Sequence, residues 1–437
     1  MGLGMPLPVA HFPGHVAVQN AELLKRNILA VTLGEIISNL TSTPAIARSS
    51  AKASEPGPRD IVFEGGYDAV NAYFYKQGWS DGLPIVPPTR EKIDALLAYT
   101  DRDPDENIGT LLPEKRTATV WSVAVNGVMA GCRPEYMPLL LAMVQAMADP
   151  AYGVEHSGAT PGGDTLIVVT GPIVRDLGFN FTQGAMRDGF MPNTAIGRFW
   201  RLYLRNVAGF RLHENDKGTF GNTWRVIVAE NAECLRATGW DSYCVDMGHA
   251  NGDNTVTIAN YTGGNVVATV SGDPRQQMLP YIADAVARQI SWQLGFTVGA
   301  GRGKLHPLVL LTPILAETFA QAGISRQDVK QYLFEHARIS ARHFERIMGY
   351  WSGLIPELSL AAKVKAGEIP AVFHASDDPD RLVPLAWKPD DFGIVVTGDP
   401  LRNNAYVFAP SGLRGYRTSK KIKLPADWQS RIERDRQ

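Results

Sequence analysis

Residues 165–170 read TLIVVT and run directly into Gly171-Pro172. A continuous apolar run of this length, stopped by a glycine and a proline, is too short for a buried helix and fits a strand covered on both faces. Four further runs are of the same kind: WRVIVA at 224–229, 256–258, PLVLL at 307–311 and FGIVVT at 392–397. Helical patterns separate them. They are expected over 67–78 (apolar at Val70, Tyr73 and Phe74), 90–99 behind a Thr89 cap, 134–148 with Pro134 in its first turn, and 194–207. Four more follow at 274–293, 314–321, 326–336 and 341–350. Short apolar strands alternating with helices predict an α/β fold, a mostly parallel sheet flanked by helices.

The stretch TSTPAIARSSAKASEPGPRD, 41–60, is rich in Ser, Ala and Pro and reads as a linker. Residues 1–60 are therefore expected to be an extension, with an amphipathic helix at 21–40 that could pack on its own domain or dock on a partner. The body divides into two subdomains, 61–297 and 298–437, because the helix–strand pattern breaks at GFTVGAGRGKLH, 295–306.

Composition narrows the class. The chain has 437 residues, 45% of them hydrophobic, and a net charge of −1, so a folded, near-neutral protein is expected and a nucleic-acid partner is not. No run of about 18 apolar residues suggests a membrane span. The three cysteines, Cys132, Cys234 and Cys244, cannot make a disulfide framework, and with no basic, apolar leader they point to a reducing, cytoplasmic home.

Five polar constellations stand out. In WSDGLP, 79–84, followed by Pro87-Pro88, a stiff turn can hold the Asp81 carboxylate in place as an acid or base, or Asp81 can simply cap the turn. In GCRPEY, 131–136, Cys132 falls at the expected helix N-cap beside Arg133, where the dipole would favour a thiolate nucleophile; the alternative is a small buried residue. Glu135 is a second acid/base candidate. The glycines of GATPGG, 158–163, precede their strand rather than follow it, and no G-x-x-x-x-G-K-[ST] occurs, so no nucleotide cofactor is implied.

The fourth constellation spans 180–206. Arg198, Arg201 and Arg205 are spaced 3 and 4 apart, on one helix face, with Asn193 or Thr194 as its cap. Arg198 and Arg205 could hold a substrate carboxylate, with Asn193 and Asn206 positioning it, or the face could be solvated and paired with Glu214 and Asp216. The fifth comprises His213, Glu230 and the series Asp246, His249, Asp253, whose irregular spacing gives no metal-ligand pattern.

WSDGLPIVPPT (79–89), VNGVMAGCRPEYMPLLLAMVQAM (125–147) and NTAIGRFWRLYLRNVAGF (193–210), with a following strand that ends in AEN, resemble the UGSC family of (seleno)proteins over about Gly66 to Ala237, and more faintly through LFEHARIS and FGIVVTGD. The resemblance implies a redox-active (seleno)cysteine-Gly-Ser-Cys motif. This sequence has no Cys-Gly-Ser-Cys, which leaves Cys132 as the thiol matching the family pattern.

The expectation is an enzyme acting on a small, carboxylated substrate through Cys132 by hydrolysis or elimination, with Asp81 or Glu135 as acid/base group. The alternatives are a thiol- or selenol-linked reductase component working with a dithiol partner, and a non-catalytic subunit or homo-oligomer that docks through residues 1–60.

Overall fold

The computed structural model describes residues 8–42, 56–290, 292–299, 301–412 and 414–435. Most of the expected linker, 43–55, lies outside them. The chain forms two units, 1–64 and 65–437. In the first, a helix runs Ala21–Asn27, passes through a π turn, Ile28–Thr32, and ends as Leu33–Thr41. Asn20 caps it, accepting from Leu23 N at 2.9 Å, and none of its residues is buried.

The second unit carries the strands. β1 (Asn107–Leu111) and β2 (Arg116–Thr119) form a hairpin. Then come β3 (Asp164–Thr170), β4 (Val228–Ala229), β5 (Thr255–Val267) and β6 (Leu308–Leu311). β7 (Arg338–Ser340) and β8 (Leu382–Pro384) pair with each other, and β9 (Gly393–Val396), β10 (Ala405–Pro410) and β11 (Thr418–Lys421) follow.

The main sheet has the order β4-β3-β5-β10-β6-β9, with β11 also paired to β5. The α/β class holds, but the sheet is mixed. β3–β4 and β6–β9 are parallel, whereas β5 lies antiparallel to β3, β10 and β11, and β10 antiparallel to β6. Strand β5 causes this. Thirteen residues long, it pairs with β3 through its first half, with β11 on the other side, and with β10 through its second half.

The sheet also crosses the expected boundary at 297/298, since β10 and β11 zip onto β5. The break in the pattern falls within one unit and opens on a short helix, Leu294–Val298. WRVIVA is mostly not ladder, because only Val228 and Ala229 pair with β3.

Every residue of β3 is buried, as a strand flanked on both sides and covered on both faces must be. Alternate residues then sort between two cores. Leu166 and Val168, Ala259 and Tyr261, Leu308 and Leu310, and Phe408 meet with Tyr243 on one face. For side chains of separate strands to converge this way the sheet must curl. Asn231, just after β4, accordingly donates to Val396 O of β9 at 2.8 Å. Val309, Leu311, Ile394, Val396 and Val407 point the other way, under the helices Leu279–Gln289 and Arg326–His336.

Glycine serves close approach in GATPGG, 158–163. Gly162 has φ of 68°, and a Cβ there would come 2.8 Å from Gly221 N, so GATPGG packs against the loop 218–221.

Candidate functional site

The three segments that stand out in the sequence meet in space. Phe74, Tyr73 and Trp79 stack edge to face, which seats the turn that begins at Trp79. Ile85 N donates to Asn71 Oδ1 at 2.6 Å and Val86 N to Met129 O at 3.2 Å, pinning the far end of that turn on the helices Tyr67–Lys76 and Val120–Ala130. The helix Met191–Tyr203 closes the assembly through Arg198. Its Nε and Nη2 grip Asp81 at 2.9 and 2.8 Å, and Nη2 also donates to Pro84 O at 2.9 Å.

Burial pushes the Asp81 carboxyl up, but the Arg198 hydrogen bonds and charge outweigh it and hold it below the usual range. Asp81 is thus an ionised partner for Arg198, not a proton donor at neutral pH. Nor does Arg198 offer a free fork, since its hydrogen-bonding edge is spent on this turn.

Cys132 is not an N-cap. The helix Val120–Ala130 ends at Gly131, in the left-handed conformation at φ 83°, and Cys132 N donates back to Gly127 O at 2.9 Å. The thiol therefore belongs to the carboxyl end of a helix, whose dipole opposes a thiolate. The next helix starts as a 3-10 turn, Pro134–Tyr136, capped by Arg133, and continues as Met137–Met147. Cys132 is 8% exposed, and burial pushes its thiol far up, more than the nearby Arg198 charge lowers it. Arg133 does not help, because its Nε pairs with Glu135 at 2.6 Å. That pair also occupies Glu135, whose side chain is 7% exposed.

Asn193 is interior rather than capping. The helix begins two residues earlier, at Met191, and the buried Asn193 amide ties loop 180 to residue 227. Its Oδ1 accepts from Asn180 N, and its Nδ2 donates to Asn180 O and Ile227 O. Asn206 donates to Asn126 Oδ1 at 2.9 Å and Trp79 O at 3.2 Å. Asn126 was missed in the sequence, although it is the one amide inside an apolar helix.

The three arginines part company. Arg201 Nη1 pairs with the buried Asp164 at 2.8 Å. Burial raises Asp164, and Arg201 only partly offsets it. Beyond Tyr203 the helix widens into a π turn, Leu204–Ala208, which carries Arg205 and Asn206; such turns recur at functional sites. Arg205 is half-buried and has no hydrogen-bond partner among the described residues. Burial disfavours its charge, as do Arg201 and Arg211, against the opposing pull of Asp81 and Asp216.

Asp246, His249 and Asp253 point to separate partners: Arg326 with Lys330, Ser419, and Lys421. Among the described residues no three His, Cys, Asp or Glu side chains come close enough to hold a metal. No helix there is long and apolar enough to cross a membrane. No family model, curated protein or solved structure matches the chain.

Proposed function

We propose that the protein is an enzyme of a small, polar, carboxylate-bearing molecule whose anion is held by Arg205 beside the Asp81–Arg198 pair. One observation carries this reading: a half-buried guanidinium without a hydrogen-bond partner among the described residues, destabilised by burial and by two neighbouring arginines. A carboxylate would supply the missing acceptors and relieve that cost. Arg198 and Asp81 act on this reading as positioning groups, fixing the turn 79–84 against the helix. Cys132 is not the nucleophile, because its position and burial both oppose the thiolate.

Calorimetric titration with acetate, malonate, succinate and citrate tests the reading. A charge-assisted pair is worth about 1.5–3 kcal/mol, so Arg205→Met should weaken the best binder by about 10- to 150-fold. Equal affinity in both proteins, or no saturable binding by the unaltered chain, sinks the reading.

A further inference from the structure

The helix Met137–Met147 buries ten of its eleven residues, and the exception is Gln145. Gln145 is only partly buried, and its amide has no hydrogen-bond partner among the described residues, which leaves it open to a ligand. Pro138, Leu141, Ala142 and Gln145 follow one another at helical spacing and form one wall of a cavity of about 350 Å³. That volume lies at the small end of the range for ligand sites, about 300–1,000 Å³.

Much of the remaining lining is charged. Arg102 grips Glu106 through Nε and Nη2 at 2.9 and 2.8 Å, so these two charges satisfy each other. Two further charges belong to the lining. Lys423 lines the cavity and adds its field to that of Arg102 on Glu106, but makes no ion pair among the described residues. Asp101 lines it too, 69% exposed, and among the described residues its one ion pair is a 3.4 Å contact to Arg431.

We propose that this cavity binds a small zwitterion of the α-amino-acid kind with an aliphatic side chain. Lys423 takes the carboxylate, Asp101 the ammonium, Gln145 one hydrogen bond to either, and the Leu141–Ala142 stripe covers the side chain. Charges of both signs in one lining make the assignment. A simple anion would meet Asp101 and a simple cation would meet Lys423, whereas a zwitterion answers both. The site shares no residue with the Arg205 face and does not depend on it.

The test is calorimetric titration of the full chain with L-leucine, isovalerate and isoamylamine. Leucine should bind saturably, with the acid and the amine each at least about tenfold weaker. Lys423→Met and Gln145→Leu should each weaken leucine by about tenfold or more while leaving the melting temperature unchanged. Arg205→Met should leave leucine affinity as it was. The proposal is overturned by any one of four results: no saturable leucine binding, isovalerate binding as tightly as leucine, unchanged affinity in either groove variant, or loss of leucine binding in Arg205→Met.

Discussion

Two regions of this molecule are built on arginine–carboxylate pairs, and they differ in what they leave over. At the turn 79–84, Asp81 and Arg198 are each about a fifth exposed, and the Arg205 guanidinium stands beside them with no hydrogen bond among the described residues. At one end of the curled sheet, Asp246 holds both Arg326 and Lys330, with side chains 9%, 8% and 2% exposed. Arg326 also donates to Ile394 O and Ser242 O. Nearby, Glu230 at the end of β4 accepts from Ser242 Oγ at 2.5 Å and Tyr243 N at 3.0 Å. The second region is closed and self-satisfied, which is the signature of a brace; the first has a charge to spare. Residue type alone does not separate them, and both drew notice in the sequence.

The largest effect should come from opening the brace. Asp246→Asn leaves Arg326 and Lys330 buried without their counter-charge, an expected loss of about 3–5 kcal/mol in urea unfolding. Replacing all three by apolar residues, Asp246→Leu with Arg326→Met and Lys330→Leu, should recover most of it. A single-variant cost under about 1 kcal/mol, the size typical of exposed pairs, would erase the contrast between the regions.

Glu230 sharpens the same contrast through pH. Burial raises its carboxyl from 4.5 to about 7, against the pull of Arg326, Ser242 and the Tyr243 amide and with a small push from Asp246. A carboxyl raised in the folded state binds its proton more tightly there. Its contribution to stability is complete below about pH 4.5 and is lost as pH rises through 7. The stability of the unaltered chain minus that of Glu230→Gln should therefore fall by up to about 3 kcal/mol across that window. A difference that stays flat from pH 4.5 to 7 contradicts a buried, proton-holding Glu230.

The strands TLIVVT, PLVLL and FGIVVT are legible in the sequence because a strand covered on both faces is apolar without interruption. Their pairing is not. Whether β5 runs parallel or antiparallel to β3 depends on the path of 84 residues between them, and β11 (TSKK) shows no apolar run at all. The site behaves similarly. WSDGLP, GCRPEY and 193–206 are conspicuous because polar residues and helix breakers interrupt apolar surroundings, and they do converge. Their roles are hidden, since the partner that occupies Arg198 is 117 residues away. The role of Cys132 turns on a shift of one residue: Arg133 takes the cap position, which puts the thiol behind one helix instead of at the head of the next.

The smallest effect is expected where the sequence placed the chemistry. Arg198 does act on Cys132, and its charge favours the thiolate, so the open region reaches the thiol electrostatically. Burial is the stronger influence, and the helix carboxyl end works in the same direction. Iodoacetamide should then label Cys132 only as fast as the protein unfolds, with no acceleration between pH 6 and 9 beyond that of unfolding itself, a window around the free thiol value of about 8.5. Cys132→Ala should cost about 1 kcal/mol as an ordinary core truncation and leave carboxylate affinity at Arg205 untouched. Fast labelling of the folded protein below pH 7, read by peptide mass spectrometry, would move Cys132 from the core into the open region. It would also return the thiol to the chemistry from which its burial now removes it.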